Sequence, residues 1–170
     1  MHKLEAFLRI IDITNDWIGK VISYLVIPFA LLVSYEVIQR YVFKTPSLWI
    51  EEGVLLGYGA YIILGGAYAF IHNTHVNVDI FYRRWSPKTK AIVDAVTFPL
   101  FVFFVGMLLW KGGDMALTSL QHMEHSQSAW RPPIYPFKLI VPLAAFLLLL
   151  QGLAKFIRNI TTITAKREAK

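Results

Sequence analysis

Residues 40–79 read RYVFKTPSLWIEEGVLLGYGAYIILGGAYAFIHNTHVNVD, an apolar helix with a dense polar cluster at each end. Between residues 53 and 71 tyrosine is the only ionisable residue type, and this segment has about the length that crosses a bilayer. Charged groups beside a membrane helix are costly unless they orient the chain or pair with another group. The two clusters are therefore the first candidates for functional residues.

Composition places the chain among membrane proteins. Of its 170 residues, 56% are hydrophobic and 16% are charged, whereas soluble domains carry about 25% charged residues. The apolar residues are concentrated in four runs, at about residues 18–41, 50–71, 91–110 and 134–156, each near the length of a membrane helix. The sequence therefore predicts a single domain of the all-α integral membrane class with four transmembrane helices.

The segment before the first run has the pattern of an amphipathic helix. Leu8 and Ile11 lie on one face of such a helix, and Arg9 and Asp12 lie on the other. This pattern predicts either a helix that lies in the membrane interface or a simple helical extension of the first span.

The distribution of basic residues predicts the orientation of the chain. Twelve Lys and Arg residues lie in the N-terminal segment, in the loop after the second run and at the C-terminal end, and five lie on the other side. Because cytoplasmic segments carry the excess of basic residues, we expect both termini in the cytoplasm. Residues 111–133 then form the largest loop on the opposite side. There, Gly112 is expected to end the third span and Asp114 to begin a short helix that reaches Gln121.

Several functional classes are disfavoured. The absence of cysteine excludes a disulfide scaffold, a thiolate metal site and cysteine catalysis. The net charge is +6, but the basic residues flank apolar runs, which favours lipid headgroups over nucleic acid as their partner. His72 and His75 have a spacing compatible with a metal site, as do His122 and His125, but the predicted orientation separates the two pairs. We therefore expect no metal, haem or other cofactor in this chain.

Charged residues near the ends of the first two spans are candidates for pairing. Glu36 and Arg40 are four residues apart and share a helical face, so they pair with each other, reach a partner helix or stay solvated in the membrane interface. Glu51 and Glu52 begin the second span, where acidic side chains favour the positive end of the helix dipole. Across the short loop we expect a contact between Arg40 and Glu52.

Aromatic and small residues complete the candidate set. Trp49 and Trp130 occupy positions where tryptophan anchors a helix in the membrane interface. A mostly small seam along the second span lets helix backbones approach closely, and it comprises Gly53, Gly57, Ala60, Leu64 and Ala67. The seam packs either within this chain or against another subunit, and spacing alone leaves both alternatives open.

No span carries a charged residue near its centre. A self-sufficient carrier usually needs polar or broken-helix groups at mid-depth, so the pattern favours a supporting role with no catalytic or substrate-binding residues. One alternative is an autonomous small exporter, for which Glu36 is the only candidate acid. The other is a haem-binding redox anchor, which the placement of the histidines disfavours.

The motifs of residues 40–79 also resemble a known family. The sequence Arg40-Tyr41-Val42-Phe43 is followed by Pro46, by Trp49-Ile50-Glu51-Glu52 and then by His75-Val76-Asn77-Val78-Asp79. Their order and spacing, together with four spans, resemble the small membrane subunit (DctQ type) of tripartite ATP-independent periplasmic (TRAP) transporters. This resemblance covers nearly the whole chain.

The resemblance implies a division of labour in a bacterial inner membrane. A periplasmic substrate-binding protein delivers an organic acid, a large membrane subunit carries it with sodium by an elevator motion, and the small subunit scaffolds the large one. Sodium is thus expected in the partner subunit. On this view Arg40, Trp49 and Glu52 contact the scaffold on the periplasmic side, and His75 and Asp79 do so on the cytoplasmic side. The whole set of interface or structural candidates is Glu36, Arg40, Trp49, Glu52, Gly53, Gly57, His75, Asp79 and Trp130.

Overall fold

The computed structural model describes residues 2–72 and 87–168. Their helices are α1 (His2–Ser23), α2 (Val26–Ile38), a π-helical turn (Gln39–Phe43), α3 (Leu48–Ile71), α4 (Pro87–Gln121) and α5 (Tyr135–Glu168). Four helical segments are long and apolar enough to cross a membrane: Glu5–Phe43, Leu48–Phe70, Ile92–Gln121 and Tyr135–Thr161. The prediction of an all-α protein with four transmembrane helices is therefore confirmed.

The first span is one long helical segment interrupted at Tyr24 and Leu25. Pro28 explains the interruption, because proline has no N–H to donate to the carbonyl four residues earlier. The Tyr24 carbonyl instead accepts a bond of 3.4 Å from the N–H of Ile27. Because α1 runs into α2 with no loop between them and packs against α3, the structure favours the helical-extension alternative for the later part of α1.

The described helices form a row that is closed at one end, where α1 touches α5. The α1–α2 segment packs against α3, α3 packs against α5, and α5 packs against α4, while α1 also touches α5. Near one end, Phe70 of α3 stacks on Phe101 of α4 with ring centroids 5.3 Å apart. Within the most apolar window of each span, the buried share is between 6% and 33%. Most residues in these windows are therefore only partly covered by the described part of the chain.

One predicted helix boundary in the second half of the chain is wrong. Gly112 does not end the third span, because α4 continues to Gln121 and includes Asp114. A Cβ at Gly112 would lie 3.1 Å from Val141 of α5, so this glycine serves a close helix contact rather than a helix end. The connection between α4 and α5 is correspondingly shorter than the predicted loop 111–133. The fourth helix continues past residue 156 to Glu168, whereas the second span, 50–71, matches α3 within two residues.

Candidate functional site

The ends of the row carry most of the polar contacts, and we name them by position. The hairpin end comprises residues 36–52 and 119–138, where α2 turns into α3 and α4 connects to α5. The terminal end comprises residues 2–20, 68–72, 90–98 and 151–168. At the hairpin end, Lys44 adopts a left-handed conformation (φ 57°), and its N–H donates to the Gln39 carbonyl. The four residues 44–47 therefore reverse the direction of the chain between the π-helical turn and α3.

The buried side chain of Glu36 stabilises this turn. Its side chain is 7% exposed, and both carboxylate oxygens accept from the N–H of Ser47 at 3.2 Å. Ser47 is the residue before α3, so the negative charge lies at the positive end of that helix dipole. Arg40 adds a weaker contact of 3.4 Å to Glu36. Glu36 therefore holds the start of α3 against the end of α2.

Arg40 bridges the two helices, but not to the predicted partner. Its guanidinium lies 2.7 Å from a carboxylate oxygen of Glu51, and the expected contact with Glu52 is wrong. Consecutive residues of an α-helix point about 100° apart, so only one of the two acids can face Arg40. The Glu51 side chain is 64% exposed, which leaves this ion pair at the surface of the hairpin.

Glu52 instead binds the connection between α4 and α5. Its carboxylate accepts hydrogen bonds from the hydroxyls of Ser126 and Ser128. The Ser128 hydroxyl oxygen in turn accepts from the backbone N–H of Arg131 at 3.2 Å. Arg131 has a left-handed backbone (φ 50°), which is uncommon for a residue with a side chain. Glu52 therefore secures the connecting loop and, through Ser128, the backbone of Arg131.

A second ion pair closes the base of the same loop. Lys138 of α5 lies 2.5 Å from Glu124, and the N–H of Ile134 donates to the Glu124 carbonyl at 3.0 Å. The Lys138 ammonium lowers the pKa of the Glu124 carboxyl, because the hydrogen bond favours the ionised form. Sequence reasoning assigned no partner to either residue, although both lie at the ends of one connection.

The tryptophans and glycines predicted as candidates lie against other residues of this chain. A Cβ added to Gly53 would lie 3.8 Å from the Trp130 ring, and a Cβ added to Gly57 would lie 2.6 Å from the Phe29 ring. The small seam thus packs on neighbouring parts of this chain at these two positions. Trp49 and Trp130 line an open cleft of about 520 Å³ between the α2–α3 turn and the connecting loop.

The terminal end has its own polar network. Asp12 of α1 accepts from Gln151 at 2.8 Å and from Arg158 at 2.5 Å. Gln151 accepts in turn from the buried Asn15 amide at 2.9 Å. Nothing in the position of Gln151 in the sequence shows that α1 and α5 are neighbours.

Of the histidine and acid candidates at the terminal end, the structure describes little. His72 lies 3.2 Å from Asp16, which also pairs with Lys20 at 2.6 Å. His75 and Asp79 lie outside the described residues. Within residues 2–72 and 87–168, no group of three or more histidines, aspartates or glutamates is arranged to hold a metal ion.

The fold and the two polar ends define a multi-pass helical membrane protein whose charged residues join helices to one another. Comparison with known families gives the particular assignment. Residues 29–162 match the model of the DctQ component of tripartite ATP-independent periplasmic transporters. The match spans most of the chain, which therefore belongs to this family. No curated protein matches the sequence significantly.

Proposed function

We propose that this chain is the non-catalytic small permease subunit that scaffolds the large membrane subunit of a sodium-coupled, binding-protein-dependent transporter for organic acids. Membership of the family makes it a small membrane component of a TRAP transporter. The scaffolding role, the sodium coupling and the organic-acid substrate go further, and they rest on the resemblance together with the physical arguments below.

The small buried share of the apolar windows is the observation that carries the proposal. A membrane protein that works alone buries helix faces against one another, whereas here at least two-thirds of the side chains in each apolar window stay outside the described core. Lipid can cover such faces, but a broad row of helices also offers a large apolar area to a second membrane protein. This shape suits a subunit that widens the static part of a larger assembly.

The distribution of charge supports the same role. Residues 21–35, 53–70, 95–110 and 139–154 contain no Asp, Glu, Lys, Arg or His. Carriers bind ions and substrates near the middle of the membrane through polar side chains or broken helices. The middle of the spans therefore supplies no charged side chain or histidine for this task, which favours substrate and sodium sites in the large subunit.

The two alternatives lose their candidate residues. An autonomous exporter would use Glu36 as its acid, but Glu36 is hydrogen-bonded to Ser47 and Arg40 in the turn at one end of the helices. A haem anchor needs histidines on facing spans, whereas His72 ends α3 and His125 lies in a loop. The favoured setting is the inner membrane of a bacterium, with a periplasmic binding protein as the third component.

Co-purification tests the proposal directly. A tag on this chain should recover a large membrane polypeptide in a fixed ratio from native membranes. Liposomes that hold both membrane subunits should take up the organic acid when the binding protein and a sodium gradient are supplied, and liposomes with this chain alone should not. Uptake by the chain alone would show that it is itself a carrier. A large subunit that transports equally well without this chain would also contradict the scaffold role.

A further inference from the structure

We propose that a cleft in the α4–α5 connection binds a carboxylate group. The cleft has a volume of about 540 Å³ and is lined by His125, Ser126, Gln127 and Arg131. It is separate from the cleft that Trp49 and Trp130 line. The proposal goes beyond the scaffold function and does not rest on it, because one loop of this chain supplies the whole lining.

Backbone contacts across the connection fix the shape of the cleft. The N–H of Ser126 donates to the Pro132 carbonyl at 2.9 Å. His125 and Pro133 form an antiparallel bridge beside this bond. The two arms of the loop therefore lie side by side, and a ligand that enters the cleft has little further chain to order.

Arg131 supplies the positive charge of the cleft. Its backbone N–H donates to the Ser128 hydroxyl oxygen at 3.2 Å, and the Ser128 hydroxyl donates to Glu52. Within residues 2–72 and 87–168, the Arg131 side chain forms no ion pair. A guanidinium offers paired N–H donors in one plane, and this geometry matches the two oxygens of a carboxylate.

The other side chains of the lining fit a single negative charge. The Nδ1 atom of His125 lies 2.6 Å from the Met123 carbonyl, which can only accept, so Nδ1 donates and the ring is held in place. The amide of Gln127 offers two further N–H donors. Arg131 is the one lining residue with a permanent charge, and a carboxylate balances it. A phosphate group carries roughly 1.5 to 2 negative charges near pH 7, which exceeds that one cation.

The acidic residues next to the loop are engaged with other partners. Glu52 accepts from the hydroxyls of Ser126 and Ser128, and Glu124 pairs with Lys138. In the part of the chain that the structure describes, neither acid forms an ion pair with Arg131. An incoming carboxylate therefore has no such pair to displace.

Two sources can supply the carboxylate. His125, Gln127 and Arg131 are exposed, so the cleft admits the acidic side chain of a soluble protein as well as a free organic acid. Both present the same group to the Arg131 guanidinium. Probes of the two kinds therefore separate the sources.

A ligand-detected NMR titration of the full-length chain in detergent tests the proposal. The probes are glutarate and a capped pentapeptide with two glutamates, each compared with its uncharged amide analogue, and inorganic phosphate. We expect carboxylate probes to bind more tightly than their analogues, and Arg131→Gln to weaken that binding about fivefold. Tighter binding of the peptide supports a protein side chain as the source, and tighter binding of glutarate supports a free acid.

Two further variants separate charge from structure. Lys44→Gln is the matched control, because it removes one positive charge from the hairpin end at a residue that does not line the cleft. Arg131→Lys keeps the charge but loses the paired donors, so it should retain part of the affinity. Melting curves by circular dichroism verify that each variant is folded.

Three outcomes would overturn the proposal. The first is equal binding of the carboxylate probes and their amide analogues by the unaltered chain. The second is a response of Arg131→Gln no larger than that of Lys44→Gln. The third is tighter binding of inorganic phosphate than of either carboxylate probe, which would assign the cleft to a different anion.

Discussion

At the scale of single residues, the hairpin end is held by carboxylates with separate tasks. Glu36 caps the start of α3, Glu51 pairs with Arg40, and Glu52 binds two serines of the α4–α5 connection. Burial orders their energetic importance, because a hydrogen bond to a buried charge contributes more than an ion pair in water. Glu36 at 7% exposed and Glu51 with its side chain 64% exposed are the two extremes.

We expect Glu36→Gln to destabilise the hairpin by about 1–3 kcal/mol, because a neutral amide accepts more weakly than a carboxylate from the N–H of Ser47 and from Arg40. It also places an uncharged group at the positive end of α3. Thermal unfolding in detergent, followed by circular dichroism, measures the change. Glu51→Gln is the matched control and should cost less than about 1 kcal/mol, since its ion pair is exposed. An equal effect of the two substitutions would contradict the assigned role of Glu36.

The Glu124–Lys138 ion pair gives the loop a pH dependence. The pKa of Glu124 is below its ordinary value of 4.5 in the folded protein. The stabilisation is therefore fully present above the ordinary value and is lost as the pH falls through the lowered pKa. We expect hydrogen exchange in residues 122–134 to show a loss of protection below about pH 4.5 after correction for intrinsic rates. Glu124→Gln should remove this dependence, and a dependence that survives the substitution would assign it to another group.

The sequence identified which residues at the hairpin end form polar contacts more reliably than it identified their partners. Spacing placed Glu36 and Arg40 on one face, and the structure has them in contact. The choice between Glu51 and Glu52 depends on the rotation of α3 about its axis, which a polar loop of four residues does not specify. The serines that bind Glu52 lie more than 70 residues away along the chain, so only the tertiary fold brings them together.

At the scale of helices, the glycines of α3 differ in whether a neighbouring helix packs against them. A Cβ at Gly57 would lie 2.6 Å from the Phe29 ring, whereas a Cβ at Gly59 would meet no atom within 4 Å. The first glycine allows α2 and α3 to approach closely, and the second has no such role within the described chain. The two positions therefore form a matched pair for substitution.

We expect Gly57→Ala to cost about 1–3 kcal/mol of stability through overpacking against Phe29. Gly59→Ala should be neutral or stabilise α3 by about 0.5–1 kcal/mol, because alanine favours the helix over glycine. Unfolding midpoints of the two variants provide the comparison. Phe29→Leu should relieve the defect in the double variant with Gly57→Ala. A destabilisation by Gly59→Ala within the complex, but not in the isolated chain, would instead locate a partner helix at Gly59.

Helix existence was predictable because each apolar run has the length that a membrane span requires. Helix ends were less predictable, as Gly112 shows. In water a pair of glycines usually marks the end of a helix, but a membrane helix tolerates glycine where a neighbour packs closely. Val141 is that neighbour, and the sequence does not show that α4 and α5 are adjacent. The helix therefore continues to Gln121.

At the scale of the whole molecule, a separate set of polar contacts holds the helices together at each end of the row. The terminal end is joined through the Asp12–Gln151–Asn15 network between α1 and α5. The hairpin end is joined through Glu52 and the loop that it binds. Between these ends the contacts are apolar and the faces of the row stay open. Contacts at both ends keep the arrangement of the helices fixed while a broad surface stays available, which is consistent with the proposed scaffold role.

The same arrangement allows a test of orientation, because both ends of the row carry exposed residues and the chain has no cysteine. Asp12 of α1 contacts Arg158 of α5, so the beginning of the first helix and the end of the last lie at the same end of the row. The excess of basic residues on that side predicts that it is cytoplasmic. A cysteine introduced at Gln127 should therefore react with a membrane-impermeant maleimide in spheroplasts, whereas one at Glu5 should react only after permeabilisation. Reaction of Glu5→Cys in sealed spheroplasts would show that the orientation is opposite to the predicted one and that the hairpin end faces the cytoplasm.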